Sequence, residues 1–419
     1  MSKVSIVGAY NTKFGSFVNK NKETGEITDT CSLYELMAEA AQGAVKDAGL
    51  DPAQIDGVWI GSFAPGLFTS QDHLGPLSLE SFPDALRFKP TQRVEGACAS
   101  SSMAIYNALY AVESGRFRNV LVVGVEKMNL LKTAGVTHAL AGASYWPTEG
   151  GVGMTFPGLF AEYAKGYAKQ YGLSPEKLRS ILAAVAALCY KNGLENPLAH
   201  FGKGGPSDKL GLHTAANILG LPDEKNPMVA EPLRLHDCSL VTDGAAALVL
   251  SPTEEAKRRA GPAVEIAGIG HTTERMAIKD RINMYDLIAA KKAVQAAYKE
   301  AGITAKDLRA AEVHDCFTIT QLLCTEALGL SGDGKSGFEY EAGRFGPGDD
   351  CPVNLSGGLK AKGHPVGATG ASMHVLLYKQ MTGKPIGQPR LKGAPEVAAT
   401  LNVGGSAVTN AVSVLRRIR

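Results

Sequence analysis

The sequence predicts an α/β protein of two similar halves, with mixed or largely parallel sheets flanked by helices. Three observations carry that prediction. Strand-like and helix-like segments alternate along most of the chain. One order of elements occurs twice. A long segment interrupts only the first copy.

The first copy begins with the alternating run from Val4 to Gly8. An amphipathic helix is expected from Leu33 to Asp47. It stops at Gly49, where a helix end favours a left-handed residue. A short connector leads to the strand-like run from Ile55 to Ile60. The second copy begins with Val264 to Gly268, continues with a helix from Leu287 to Glu300, and stops at Gly302. Its connector leads to the run from Leu308 to Val313. Agreement at both helix ends and both connectors points to duplication.

Each copy then repeats a second unit. In the first, Val94-Glu95-Gly96-Ala97-Cys98 enters a helix from about Ala99 to Glu113, followed by a strand from Asn119 to Gly124. In the second, Gly363-His364-Pro365-Val366-Gly367 enters a helix from about Gly370 to Gln380, followed by a strand from Val397 to Leu401. The interrupting segment runs from about 126 to 235 and holds a helix from about Pro175 to Tyr190. Inserts of this length serve as lids, binding platforms or oligomer contacts. Strand character returns at Ala245 to Leu250, and Ser251 to Gly261 reads as the linker. The expected domains are residues 1–255 and 262–419.

Composition narrows the function classes. The chain has 419 residues, 45% of them hydrophobic, which is ample for a large core. Its 43 basic and 41 acidic side chains are interspersed, so there is no footprint for nucleic acid or a membrane surface. The N-terminus passes straight into a strand-like run with no signal-peptide pattern, and no uncharged apolar run approaches a membrane span. A soluble, cytoplasmic protein is expected. The seven cysteines are scattered, odd in number and without a CxxC pair. That pattern argues for reduced thiols and against a disulfide framework or a metal site.

Four clusters carry chemistry. Cys98 lies between a strand-like run and the helix opening Ala99-Ser100-Ser101-Ser102, where helix N–H groups are expected to lower its pKa. A buried thiol at a tight turn fits the same pattern. His364 sits between Gly363 and Pro365 on a stiff, glycine-rich loop, and imidazole suits proton transfer near neutrality. A structural loop histidine fits there too. His314-Asp315-Cys316-Phe317 closes the second connector strand, where His314 and Cys316 can face one side. Gly404-Gly405 follows the strand ending Leu401-Asn402-Val403, a turn that brings backbone N–H groups close to a ligand.

Together these residues resemble the thiolase family over almost the whole chain. The nucleophile motif is similar to Val94 to Ser101 around Cys98. The base motif is similar to Gly363-His364-Pro365 with Gly367-Ala368. Thr242-Asp243-Gly244-Ala245-Ala246-Ala247 is similar to the family's return strand. The resemblance implies two similar halves in a five-layered α/β/α/β/α core with a loop domain inserted in the first. It differs from the degradative and biosynthetic thiolases at two places. His314-Asp315-Cys316-Phe317 stands where they carry Asn-Glu-Ala-Phe, and Asn402 stands where they carry a cysteine. Both changes resemble the sterol-carrier-protein-2 type.

The resemblance implies Claisen cleavage or formation of 3-oxoacyl-CoA through an acyl-Cys98 intermediate. His364 is the expected base. Cys316 is the second catalytic thiol. His314 helps form an oxyanion hole, with backbone donors near Cys98, Gly404 and Gly405. No tightly bound cofactor is implied, and coenzyme A is substrate and product, lying over the insertion. A homodimer or homotetramer is implied, and some members of the branch work with a small zinc-ribbon/OB-fold accessory subunit. A condensing or acyltransferase enzyme of secondary metabolism and a non-catalytic CoA- or acyl-binding protein are the alternatives. A retro-aldol branch lacks the nucleophilic cysteine, and Cys98 argues against it. The bulky apolar run Met154 to Phe160 offers either a wall for a branched or aromatic acyl chain or plain packing.

Overall fold

The structure is a computed structural model and describes residues 3–389 and 393–418. The strands are β1 (Val4–Asn11), β2 (Gly57–Gly61), β3 (Thr91–Val94), β4 (Val120–Glu126), β5 (Gly244–Pro252), β6 (Val264–Thr273), β7 (Ala311–Val313), β8 (Val397–Gly404) and β9 (Thr409–Arg417). Among the described residues they form one sheet in the order β7-β8-β9-β6-β1-β5-β4-β2-β3. From the central antiparallel pair β1–β6, the order β6-β9-β8-β7 on one side mirrors β1-β5-β4-β2 on the other.

The sheet is mixed, one of the two arrangements the sequence predicts, and antiparallel pairing predominates over parallel. Only β2–β3, β2–β4 and β7–β8 are parallel, and the remaining pairs are antiparallel. The reason lies in β5 and β9. These return strands insert between the first strand of each half and the crossover strands, and they run opposite to both.

The principal helices are α1 (Leu33–Asp47), α2 (Ser100–Glu113), α3 (Thr133–Ala141), α4 (Phe156–Tyr171), α5 (Pro175–Leu194), α6 (Ile288–Ala301), α7 (Thr318–Ala327) and α8 (Thr369–Met381). Three buried clusters define the layers. Met37, Ala40 and Ala44 of α1 pack on Leu121, Val123 and Ala247, the outer face of the first half's strands. Ala290, Ala293 and Ala297 of α6 pack with Val412 and Val414 on the outer face of the second half's strands. Between them, Ile105 and Leu109 of α2 and Val375 and Tyr378 of α8 share one core with inner faces of both halves, from Val122 and Leu248 to Ala398 and Leu415. This is the five-layered arrangement.

The closing glycines of the repeat have a common cause. A Cβ on Gly8 would lie 2.5 Å from the carbonyl of Ala44 in α1, and one on Gly268 would lie 2.4 Å from that of Ala297 in α6. Pairing also shifts register between Ile6 and Gly8 and between Ile266 and Gly268. Each glycine thus marks a bulge where a helix backbone crosses the sheet. The segment 251–261 is only partly a linker. Ser251 and Pro252 belong to β5, and Thr253–Ala256 forms a helical turn with Thr253 and Ala256 buried. The Ser5 and Thr253 hydroxyls, 2.8 Å apart, tie that turn to β1.

Candidate active site

β3 ends at Val94, and the chain then makes one 3₁₀ turn, Ala97–Ala99, before α2 begins. Ala97 takes φ +51°, a conformation unusual for a residue with a side chain, and Cys98 follows it at the floor of a cavity. In the second half a 3₁₀ turn, Val366–Ala368, precedes α8 and carries His364 just before it. The Sγ of Cys98 and one nitrogen each of His314 and His364 lie within 4.8 Å of one another. The two imidazoles meet edge to face, with centroids 5.2 Å apart and planes at 86°.

The hydrogen bonds fix which nitrogen does what. The Thr369 hydroxyl donates to the Pro365 carbonyl at 3.0 Å, so its oxygen accepts from His364 Nδ1 at 2.7 Å. His364 Nε2 is left with a lone pair. Ser102 Oγ donates to Asn402 Oδ1 at 2.8 Å, which turns the Asn402 amide nitrogen toward His314 Nδ1 at 3.0 Å. His314 Nδ1 therefore accepts, and its proton sits on Nε2. That Nε2 is buried and has no hydrogen-bond partner among the described residues. A buried unpaired donor beside the nucleophile is costly unless a ligand accepts from it.

Burial sets the charge states. It pushes the Cys98 thiol up to about 12, against the N–H groups of Gly405 and of Cys98 itself, which favour the thiolate. The expected lowering of that pKa is thus overturned. The thiol is packed among Met128, Val136 and Val366, and α2 begins only beyond it. Burial, with a smaller contribution from Lys362, holds His364 down at about 3. His314 is also held well below its usual value by burial. The site at rest holds a thiol and two neutral imidazoles.

Cys316 lines the same cavity, and burial raises its thiol well above the usual range. Gly405 lines it too. Gly404 does not. It lets β8 pass the nucleophile turn, where a Cβ would sit 2.2 Å from the Gly96 carbonyl. The run Met154 to Phe160 divides: Phe156 and Pro157 line the cavity, while Phe160 stacks on Phe317 in the core at 4.7 Å.

Three positioning groups were not singled out from the sequence. Glu126 ends β4 fully buried and accepts from the N–H groups of Phe63 (2.7 Å) and Gly367 (3.0 Å) and from the Ser62 hydroxyl (3.1 Å). It fastens the base loop to the end of β2. Asp243 accepts from the N–H groups of Met128 and Asn129 at 2.7 and 3.0 Å, holding one wall of the cavity. Thr369 sets the His364 tautomer. A carboxylate closing the apolar run Val120 to Val125 is a visible signal for Glu126. Nothing local marks Thr369.

Comparison with known proteins follows the same division of the chain. Residues 4–254 match the family model "Thiolase, N-terminal domain", and residues 270–417 match "Thiolase C-terminal domain-like". The chain is 35% identical to an acetyl-CoA acetyltransferase of Methanothermobacter thermautotrophicus, covering 100% of both chains. It is 29% identical to the benzoylsuccinyl-CoA thiolase subunit BbsB of Thauera aromatica, covering 96% of this chain and 95% of that one. The solved structure of an Ltp2-ChsH2(DUF35) aldolase has the same fold, with TM-score 0.78 at 22% identity over 100% of this chain and 98% of that one.

Proposed function

The chain belongs to the thiolase family, and on that premise we propose that it cleaves or forms 3-oxoacyl-CoA through an acyl-Cys98 intermediate. It is a thiolase-type acyltransferase acting on acyl-CoA. The observation that carries the assignment of residues is the triangle of Cys98, His314 and His364, with a free lone pair on His364 and an unsatisfied N–H on His314.

In the cleavage direction His364 Nε2 takes the Cys98 proton as sulfur attacks the ketone carbon. With the thiol pushed up to about 12 and the imidazole down at about 3, a standing thiolate is disfavoured, so transfer accompanies attack. The N–H groups of Cys98 and Gly405 donate to the developing oxyanion. The carbon–carbon bond breaks, and its electron pair passes to the shorter CoA ester as an enolate. His314 Nε2–H donates to the enolate oxygen, and the Cys316 S–H delivers the proton to carbon. The CoA thiol then gives its own proton to Cys316 and its sulfur takes the acyl group, and the departing Cys98 sulfur recovers its proton from His364 Nε2, giving two-step chemistry. Condensation is the reverse.

The His314–Cys316 pair and Asn402 support assignment to the sterol-carrier-protein-2 type, with Asn402 orienting His314 where other thiolases carry a cysteine. The reading includes catalytic halves bounded at 1–255 and 262–419, coenzyme A as substrate without a resident cofactor, and a cytoplasmic homodimer or homotetramer. No helix among the described residues is long and apolar enough to cross a membrane. A small zinc-ribbon/OB-fold subunit is part of the proposal, and the name of the structural relative, Ltp2-ChsH2(DUF35) aldolase, joins two components. The test is intact-protein mass spectrometry after brief exposure to 3-oxoacyl-CoA esters. A covalent acyl adduct is expected in the wild type and not in Cys98→Ala. A folded wild-type protein without any adduct overturns the reading.

A further inference from the structure

The cavity above Cys98 has a volume of about 200 Å³. Its walls come from several elements: Phe63 after β2, Met128 after β4, Phe156 at the start of α4 and Val366 after the base. Helix α3 supplies a further side. Thr133, Val136, Thr137 and Leu140 all line the cavity, and their spacing is that of one helix face. Val136 and the neighbouring Ala139 are buried in one cluster with Cys98. Thr133 and Thr137 are exposed and stand at the mouth.

Two features restrict what fills this space. Among the described residues that line it, none is Asp, Glu, Lys or Arg, and His364 is held neutral. A carboxylate carried into it would lose its hydration without gaining a partner. The amide groups of a pantetheine arm would be equally unpaired among Val136, Phe156 and Val366. They belong at the mouth, where hydroxyls of Thr133, Thr137 and Ser239 are found. An acetyl group leaves most of the cavity empty. An apolar cavity of about 150 Å³ accommodates a six-carbon ring, so this one suits roughly six to eight carbons.

Resting on the thiolase reading of Cys98, we infer that the acyl pocket selects an uncharged, apolar acyl group of about six to eight carbons. It disfavours acetyl and carboxylated acyl groups. The sequence left the wall of this pocket open between the run Met154 to Phe160 and none at all. The wall is shared by α3, Phe156 and Pro157, and the segment 238–241.

The test is steady-state thiolysis of acetoacetyl-CoA, 3-oxooctanoyl-CoA, 3-oxo-3-phenylpropanoyl-CoA and 3-oxoadipyl-CoA. The octanoyl and phenyl substrates are expected to exceed acetoacetyl-CoA in kcat/KM by about tenfold or more, because each added methylene in an apolar pocket raises discrimination. The adipyl substrate is expected below both. A preference for acetoacetyl-CoA, or equal use of the adipyl and octanoyl substrates, overturns the inference. Val136→Phe and Leu140→Phe each put a ring into the space. Each should lower the ratio of octanoyl to acetoacetyl kcat/KM by about fivefold or more, and two folded variants with unchanged ratios also overturn it. Mass spectrometry separates the two failures. An acetyl-Cys98 adduct without a hexanoyl adduct leaves the thiolase reading standing and removes the pocket. No adduct from any ester removes both.

Discussion

In the first half the chain leaves β3, turns at Ala97 with φ +51°, makes a 3₁₀ turn through Cys98 and enters α2. In the second half it turns at Gly363 with φ +122°, passes His364, makes a 3₁₀ turn and enters α8. The two turns are counterparts, and their helices lie side by side in the middle layer. One presents a thiol and the other an imidazole. Burial moves their pKa values in opposite directions, and each movement leaves the group neutral. Duplication supplies the geometry that makes two loops meet. The side chain at each tip, and the dryness around it, supplies the difference in chemistry.

The comparison breaks most sharply at the nucleophile. Cys98→Ala should lower kcat by on the order of 10⁴-fold or more and abolish the acyl adduct, because no other group holds the acyl chain. His364→Ala should also lower the rate but leave a slow acyl adduct detectable by mass. Equal, complete loss of the adduct in both variants would make the two turns inseparable in function.

The next effect tests what orients the groups between the turns. Asn402→Leu removes the donor that holds the His314 proton on Nε2. It should cost on the order of 10²–10³ in kcat, the range for one oxyanion donor. Retained near-wild-type kcat would show that His314 finds its tautomer unaided.

The third concerns the tie that joins the halves. Burial raises Glu126 to about 7 in the fold, against an ordinary value of 4.5. Between those values the folded state holds a proton that the unfolded state has released. Stability from this group is therefore full below pH 4.5 and falls as pH rises to 7, by on the order of 3 kcal/mol. Denaturant unfolding of the wild type and Glu126→Gln across pH 5–8 should reveal it as a loss of wild-type stability relative to the variant with rising pH. A constant difference would remove Glu126 from that role.

A smaller effect tests a place where the halves differ. Helix α1 begins at Ser32, whose side chain caps it, whereas α6 begins at Leu287 with no side-chain cap. Ser32→Ala should cost about 1 kcal/mol in denaturant unfolding and leave kcat unchanged. The smallest effect is an expected flatness. With Cys98 at about 12 and His364 at about 3, neither group gives a limb between pH 5 and 9. Their joint contribution to kcat/KM should vary by less than about threefold there, measured with a substrate of constant charge. A limb between pH 8 and 9 that Cys98→Ser shifts would show a thiol far less buried than this.

The sequence alone determined the repeat, five of the eight principal helices and the candidate residues. These signals are local: periodicity marked α1 at Leu33–Asp47, glycines marked both helix ends, and small residues crowded the Cys98 and His364 loops. The expected catalytic residues Cys98, Cys316 and His364 line one cavity, and His314 lies beside Cys98 and His364. Tertiary structure alone decided the antiparallel return strands, the separate fates of Gly404 and Gly405, and the raised pKa of Cys98. It also decided the tautomers, since Thr369 and Ser102–Asn402 act through contacts up to 300 residues apart in the chain. Helix position can be read from a few neighbouring side chains. Dryness, hydrogen-bond partners and proton location depend on groups that only folding brings within contact.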